Sequence, residues 1–228
     1  MPTATETFAG FRPDAIQFLA DLAQNNDRAW FQPRKADYER LLKRPLEALC
    51  VALAERFEAG GIPLQADPAR SPFRIYRDVR FSKDKSPYKT NVGASFPWTG
   101  GGDGSAGGYF HLEPGEIFVG GGMWHPEPAR LNAFRRLLSA DPGRVHAVID
   151  DPRFVATFGQ LMGNRLTRVP QGYNASHPDA ELLKLKDLGF SHGLSDADVA
   201  SPELPDRLVA TLQVALPAMR LLATLPAD

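Results

Sequence analysis

The order of residues predicts an α+β fold, a single domain spanning 1–228 in which helices at both ends cover a central antiparallel or mixed sheet. Three observations carry this. Apolar positions recur with helical spacing over 12–60 and again over 127–228, whereas 72–125 alternates in short runs cut by glycine and proline. No stretch reads as a linker between domains, and a chain of 228 residues that is 43% hydrophobic can bury a substantial core.

The elements follow in order. Arg12-Pro13-Asp14 starts a helix, because proline suits the first turn, and Ile16, Leu19, Leu22 and Ala23 give it one apolar side up to Asn25-Asn26. A second helical region runs from about Asp27 through Trp30, Phe31, Tyr38, Leu42, Leu46, Leu49 and Phe57 to Gly60-Gly61. Pro45 is expected to kink or split it, since proline removes a backbone donor and crowds the preceding turn. Strand-like sequence follows at Phe73–Phe81, Thr90–Trp98, Gly108–Glu113 and Glu116–Trp124. The last two read as a hairpin joined by Pro114-Gly115, a pair suited to a type II turn. The glycine-rich run 100–108 is a flexible loop. It leads into a strand, not a helix, so it does not form a dinucleotide fingerprint. Helices return at Glu127–Ser139, Gly143–Phe158, Ala180–Leu185 and Pro205–Leu225.

Composition narrows the function classes. A formal charge of −1 lacks the global basic excess of a protein that coats nucleic acid, so any such contact would be local. Cys50, the only cysteine, lies on an apolar helix face, which fits core packing and a reducing, cytoplasmic location. The N-terminus lacks a basic region followed by an apolar run, and no window approaches the roughly 20 apolar residues of a membrane span.

Charge is concentrated in one place. Arg74, Arg77, Arg80, Lys83, Lys85 and Lys89, with Asp78 and Asp84, fall within 74–89, and 90–129 holds no Lys or Arg. On a strand at 73–81, alternation sends Phe73, Ile75, Val79 and Phe81 to one face and Arg74, Tyr76, Asp78 and Arg80 to the other. Arg77 falls on the apolar side, where a guanidinium needs a carboxylate or carbonyl partner, or else a bulge that turns it outward. Arg74 and Arg80 can grip a phosphate or carboxylate by forked hydrogen bonds, and Asp78 can orient a guanidinium or take a proton. The turn Asp84–Lys89 can fold Lys85 and Tyr88 back over the same surface.

Two histidines join Asp78 as catalytic candidates. On the hairpin Tyr109, His111 and Glu113 share a face opposite Gly120 and Gly122, whose missing side chains leave room for a ligand or another backbone. His125 ends the glycine-rich strand just before a helix. In the polar loop 164–178, Arg168 and Tyr173 are candidates to complete an anion site with Arg74 and Arg80. No cofactor and no metal are expected, because the five histidines lack the helical pair or cysteine spacing of a zinc site. No nucleophile elbow or phosphate-cradling loop is present either.

The run from Arg74 to Tyr88 resembles the signature R-x-x-R-D-x-R-F-x-x-D-K-x-x-Y of the bacterial domain of unknown function 2461 family. The segment Asn26-Asp27-Arg28-Ala29-Trp30-Phe31, the hairpin from Tyr109 to Pro126 and the stretch from Arg168 to Pro178 also match. The resemblance implies no activity, cofactor or catalytic residue. Three readings therefore stand side by side: an enzyme or binder of a small anionic ligand, an interaction module whose basic strip meets an acidic protein segment or nucleic acid, and an internal ion-pair network that fixes the loop. Membrane partners are not expected, and the sequence sets no oligomeric state.

Overall fold

Pro13 stands in the first turn of α1 (Pro13–Gln24), where its missing N–H costs nothing, and Ala15, Phe18, Leu19 and Leu22 form the buried stripe. The computed structural model describes residues 7–102 and 104–226. Met1–Glu6, which bear most of the reading against an export signal, and Asp103 of the glycine loop lie outside them.

Asp27 caps α2 (Arg28–Phe31) by accepting the Trp30 N–H at 2.8 Å. A 3-10 turn (Gln32–Arg34), α3 (Lys35–Tyr38), a π-helical turn (Glu39–Lys43) and α4 (Arg44–Ala59) continue from it. Pro45 thus sits in the first turn of α4, directly after a change of hydrogen-bond register. The wider π turn accommodates the missing donor without a loop. On α4, Cys50 is fully buried, and burial with Glu47 and Asp67 nearby pushes its thiol up to about 12.

The strands β1 (Val92–Pro97), β2 (Gly107–Glu113), β3 (Glu116–Met123) and β4 (Leu188–Gly193) form one antiparallel sheet in chain order. With helices before and after it along the chain, this is the α+β class. Gly115 supplies the φ of 81° that the third position of a type II turn requires after Pro114.

Two strand assignments need correction. Phe73–Phe81 is not a strand: Pro72 bridges Ala94 and Tyr76 bridges Tyr88 only as isolated pairs. Local side-chain bonds from Asp78 and Asp84 compete with a ladder there, and of the expected apolar face only Ile75 is buried, with Phe73 and Phe81 exposed. Conversely β4 was not expected, because Leu188-Gly189-Phe190-Ser191-His192-Gly193 has too many glycines to read as a strand. Its backbone fills the space beside Gly120 and Gly122. A Cβ on Gly122, which has φ +117°, would lie 2.0 Å from the Leu188 carbonyl oxygen, and one on Gly120 2.1 Å from that of Phe190.

The chain packs as two compact units. The first takes the described residues of Met1–Phe96, Tyr109–Val119 and Gly193–Val209. Its core includes Phe31 stacked on Tyr88 at 4.0 Å, Phe11 on Phe110 at 6.0 Å, and Leu19, Leu42, Leu46 and Leu49. Within it the Phe11 N–H donates to the Val199 carbonyl at 2.8 Å. The second takes Pro97–Gly108, Gly120–His192 and the described residues of Ala210–Asp228. It holds α5 (Pro128–Ala140), α6 (Pro142–Ile149), α7 (Pro152–Phe158) and α8 (Ala180–Leu183). Phe154 and Phe158 pack on Phe190 at 5.3 and 5.0 Å. The single helix expected over 143–158 is two, because Asp151 accepts the N–H groups of Arg153 and Phe154 and Pro152 restarts the helix. α9 (Asp196–Ala200), held by a Ser195–Asp198 capping box, was not expected; α10 (Leu204–Ala223) closes the chain. Among the described residues no helix is long and apolar enough to cross a membrane.

Candidate functional site

The charged segment 74–89 in the first unit satisfies much of its own charge. Arg77 is half-buried and donates to Asp84 and to the Ser86 carbonyl, so its partner is a carboxylate seven residues on. Arg80 forks onto Asp78, with Nη2 to Oδ2 at 2.7 Å, and Lys85 donates to the Val79 carbonyl at 3.0 Å. The Ser86 hydroxyl and N–H, with Arg77, hold the Asp84 carboxyl well below the usual range, and hydrogen bonds from Arg80 lower that of Asp78. An acid so firmly ionised is a poor proton carrier at neutral pH. Tyr88, expected at the surface, is instead 1% exposed against Phe31, and Asn26 clamps its backbone through both N–H and carbonyl at 3.0 Å. Of the five expected ligand-binding residues in this segment, Arg74, Arg77, Arg80, Lys85 and Tyr88, Arg74 alone is exposed with no hydrogen-bond or ion-pair partner among the described residues.

On the hairpin of the same unit, His111 is 8% exposed and stacks flat on Phe118 at 4.8 Å. Its Nδ1 lies 3.0 Å from the Tyr109 hydroxyl and its Nε2 3.3 Å from Glu113 Oε2, while the Thr90 hydroxyl donates to Glu113 Oε1. Burial, with Glu113 and Glu116 nearby, pushes the Tyr109 phenol up to about 12. Both ring nitrogens of His111 are therefore engaged by side chains of one strand face.

The end of β3 builds a different arrangement in the second unit. His125 is the one non-glycine residue with positive φ, 51°, among the described residues. Asp187 holds it there: Oδ1 accepts the His125 N–H at 2.9 Å and lies 3.2 Å from Nδ1 of the same residue. The other oxygen, Oδ2, accepts the Asn164 N–H at 3.0 Å and its side-chain N–H at 2.7 Å. Asp187 is 1% exposed. Burial raises its carboxyl, but the bonds from His125 and Asn164 and the charge of His125 outweigh that and hold it below the ordinary carboxylate value. The His125 ring is 75% exposed, and its Nε2 has no partner among the described residues.

Arg135 on α5 lies beside this dyad and is 7% exposed. Its guanidinium donates to the carbonyls of Leu183 at 2.9 Å and Leu185 at 3.0 Å and reaches Asn132 Oδ1 at 3.4 Å. No carboxylate pairs with it among the described residues. Burial lowers its pKa from the ordinary arginine value. His125, Asp187, Asn164, Arg135, Asn132 and Lys186, with Pro126, Pro128 and Leu131, line a cavity of about 260 Å3. Lys186 is exposed and forms no ion pair among the described residues. Arg168 and Tyr173 also belong to this unit, whereas Arg74 and Arg80 belong to the first. Arg168 is exposed, and Tyr173 is half-buried with its phenol close enough to oppose the lowering of the Arg135 pKa.

Of the expected catalytic residues, then, His125 lines a cavity, His111 is enclosed by its neighbours, and Asp78 is tied to Arg80. Arg135, Lys186 and Asp187 were missed. Nothing in sequence marks them, since Arg135-Arg136 and Lys186-Asp187 are short charged pairs flanked by apolar residues, and the segments that carry them meet only on folding.

A family model described as a conserved hypothetical protein, DUF2461, matches residues 14–220. The chain belongs to the DUF2461 family. No curated protein and no solved structure matches it. The match takes in both units of this DUF2461 protein, with the charged segment, the hairpin and the residues around His125 all inside it.

Proposed function

We propose that this DUF2461 protein binds a small anionic ligand, bearing phosphate or carboxylate, in the cavity beside His125, and that His125 exchanges a proton with the bound molecule. The observation that carries the reading is Arg135, a nearly buried guanidinium with no carboxylate partner among the described residues, on the wall that also bears Lys186. A buried positive charge is costly unless compensated, and an anionic ligand compensates it. Asp187 is already committed to His125 and Asn164. It orients the imidazole through Nδ1 and leaves Nε2 facing outward, the geometry a general acid or base requires. Asn132 adds a polar group to the same wall.

Inorganic phosphate titrated calorimetrically into the full chain is the test. Saturable binding is expected, weakened about tenfold by Lys186→Ala, since one charge-assisted hydrogen bond contributes roughly 1.5 kcal/mol. Binding that is absent, or unmoved by both Lys186→Ala and His125→Ala, removes the reading.

One observation favours a second reading in the first unit. Arg74 is unpaired among the described residues and Phe81 is 95% exposed, which leaves a basic and aromatic strip for an acidic protein segment or nucleic acid. Such binding would fall steeply with added salt.

A further inference from the structure

The hairpin face of the first unit gathers ligand atoms that neither reading uses. Pro114-Gly115 forms a two-residue loop, so Glu113 and Glu116 stand opposite each other across the strands, and alternation puts His111 on the same face as Glu113. One ligand atom from each of His111, Glu113 and Glu116 lies within 4.8 Å of the others. Two carboxylates directly opposite on a sheet repel. Neither has a Lys or Arg partner among the described residues, where His111, charged only when protonated, is the basic group beside Glu113.

The surroundings fit a cation. His111 is fixed by its stack on Phe118, and its Nδ1 faces the Tyr109 hydroxyl at 3.0 Å, which sets the tautomer when Nδ1 donates there and leaves Nε2 as the ligand nitrogen. The Thr90 hydroxyl holds Glu113 by the oxygen that does not face His111. A hydrogen-bonded imidazole and a hydrogen-bonded carboxylate are what surround metal ligands generally. We propose that His111, Glu113 and Glu116 form a site for a divalent transition cation of the Zn2+ type.

One imidazole and two carboxylates, with no thiolate, suit a borderline cation, whereas Ca2+ calls for six or more oxygens. Three protein ligands leave a fourth tetrahedral position for water or substrate. Donors around a tetrahedral zinc stand roughly 3.4 Å apart. Glu116, the exposed member, supplies the movement that closes the 4.8 Å spread.

The test is calorimetric titration of ZnCl2 into the full chain after removal of metal with a chelator. Zn2+ is the stringent probe because most other first-row divalent ions bind a given nitrogen and oxygen site more weakly. One ion per chain is expected, bound at least tenfold more weakly by Glu116→Gln. Because Glu116 is exposed, that variant keeps the fold, which circular dichroism checks. Thr90→Val, which frees Glu113 without removing a ligand, is expected to weaken binding about tenfold. Failure of Zn2+ to bind saturably, or an affinity unchanged by Glu116→Gln, overturns the proposal.

Discussion

Asp187 is the residue on which the corner of the second unit depends. It ties the end of β3, through His125, to the loop at Asn164 and to the start of β4, and it does so while 1% exposed. Its carboxyl is depressed in the folded chain, so the stability it contributes is present above its unfolded value of about 3.9 and is lost as pH falls through the lower folded value. Asp187→Asn is expected to lower unfolding free energy by about 2–3 kcal/mol at pH 7, the magnitude for hydrogen bonds to a buried charged acceptor. In chemical denaturation the gap between wild type and variant should narrow below pH 4, and a gap independent of pH would contradict this account of the charge. His125 was legible as a candidate because it ends a strand just before a helix. Its clamp was not, since an acid distant in sequence can be matched to it only through the fold. Arg77 was partly legible: alternation showed that its guanidinium needed a partner, and Asp84 is that partner in the structure.

At the scale of elements, the hairpin was the most readable feature, because Pro114-Gly115 fixes both the turn and which residues face each other. That same regularity places His111, Glu113 and Glu116 together. The grouping has no helical i, i+4 or cysteine spacing to mark it in sequence, because its members meet across a turn. The segment 73–81 misled for a physical reason: its alternation is real, but Asp78, Asp84 and Ser86 bond locally and stop the chain from forming a ladder. β4 was hidden for the complementary reason, because its pairing depends on the glycines of β3 rather than on its own side chains. Gly122→Ala therefore tests that pairing. The added methyl meets the Leu188 oxygen at 2.0 Å on a backbone at φ +117°, and a loss of about 2 kcal/mol or more is expected in thermal or denaturant unfolding. A variant as stable as wild type would show that the strands can separate cheaply.

For the whole molecule, the α+β class followed from the succession of periodicities, and the family match over 14–220 agrees with a resemblance visible across most of the chain. The charge asymmetry of 74–89 is real, and much of it is compensated within the segment itself. Arg77, Arg80 and Lys85 find partners within their own segment, whereas Arg135 and Lys186, unremarkable in sequence, line the cavity with His125. Local charge density is readable from sequence; whether a charge is already compensated depends on tertiary partners. The central claim is that anion binding and proton exchange meet at His125. Its most direct test is the imidazole NMR resonance of His125 in the full chain, assigned with His125→Ala and followed through a phosphate titration at several pH values. A saturable shift of that resonance with phosphate is expected, since an anion bound in the cavity changes the field at the ring. A resonance that does not move with phosphate would contradict anion binding beside His125.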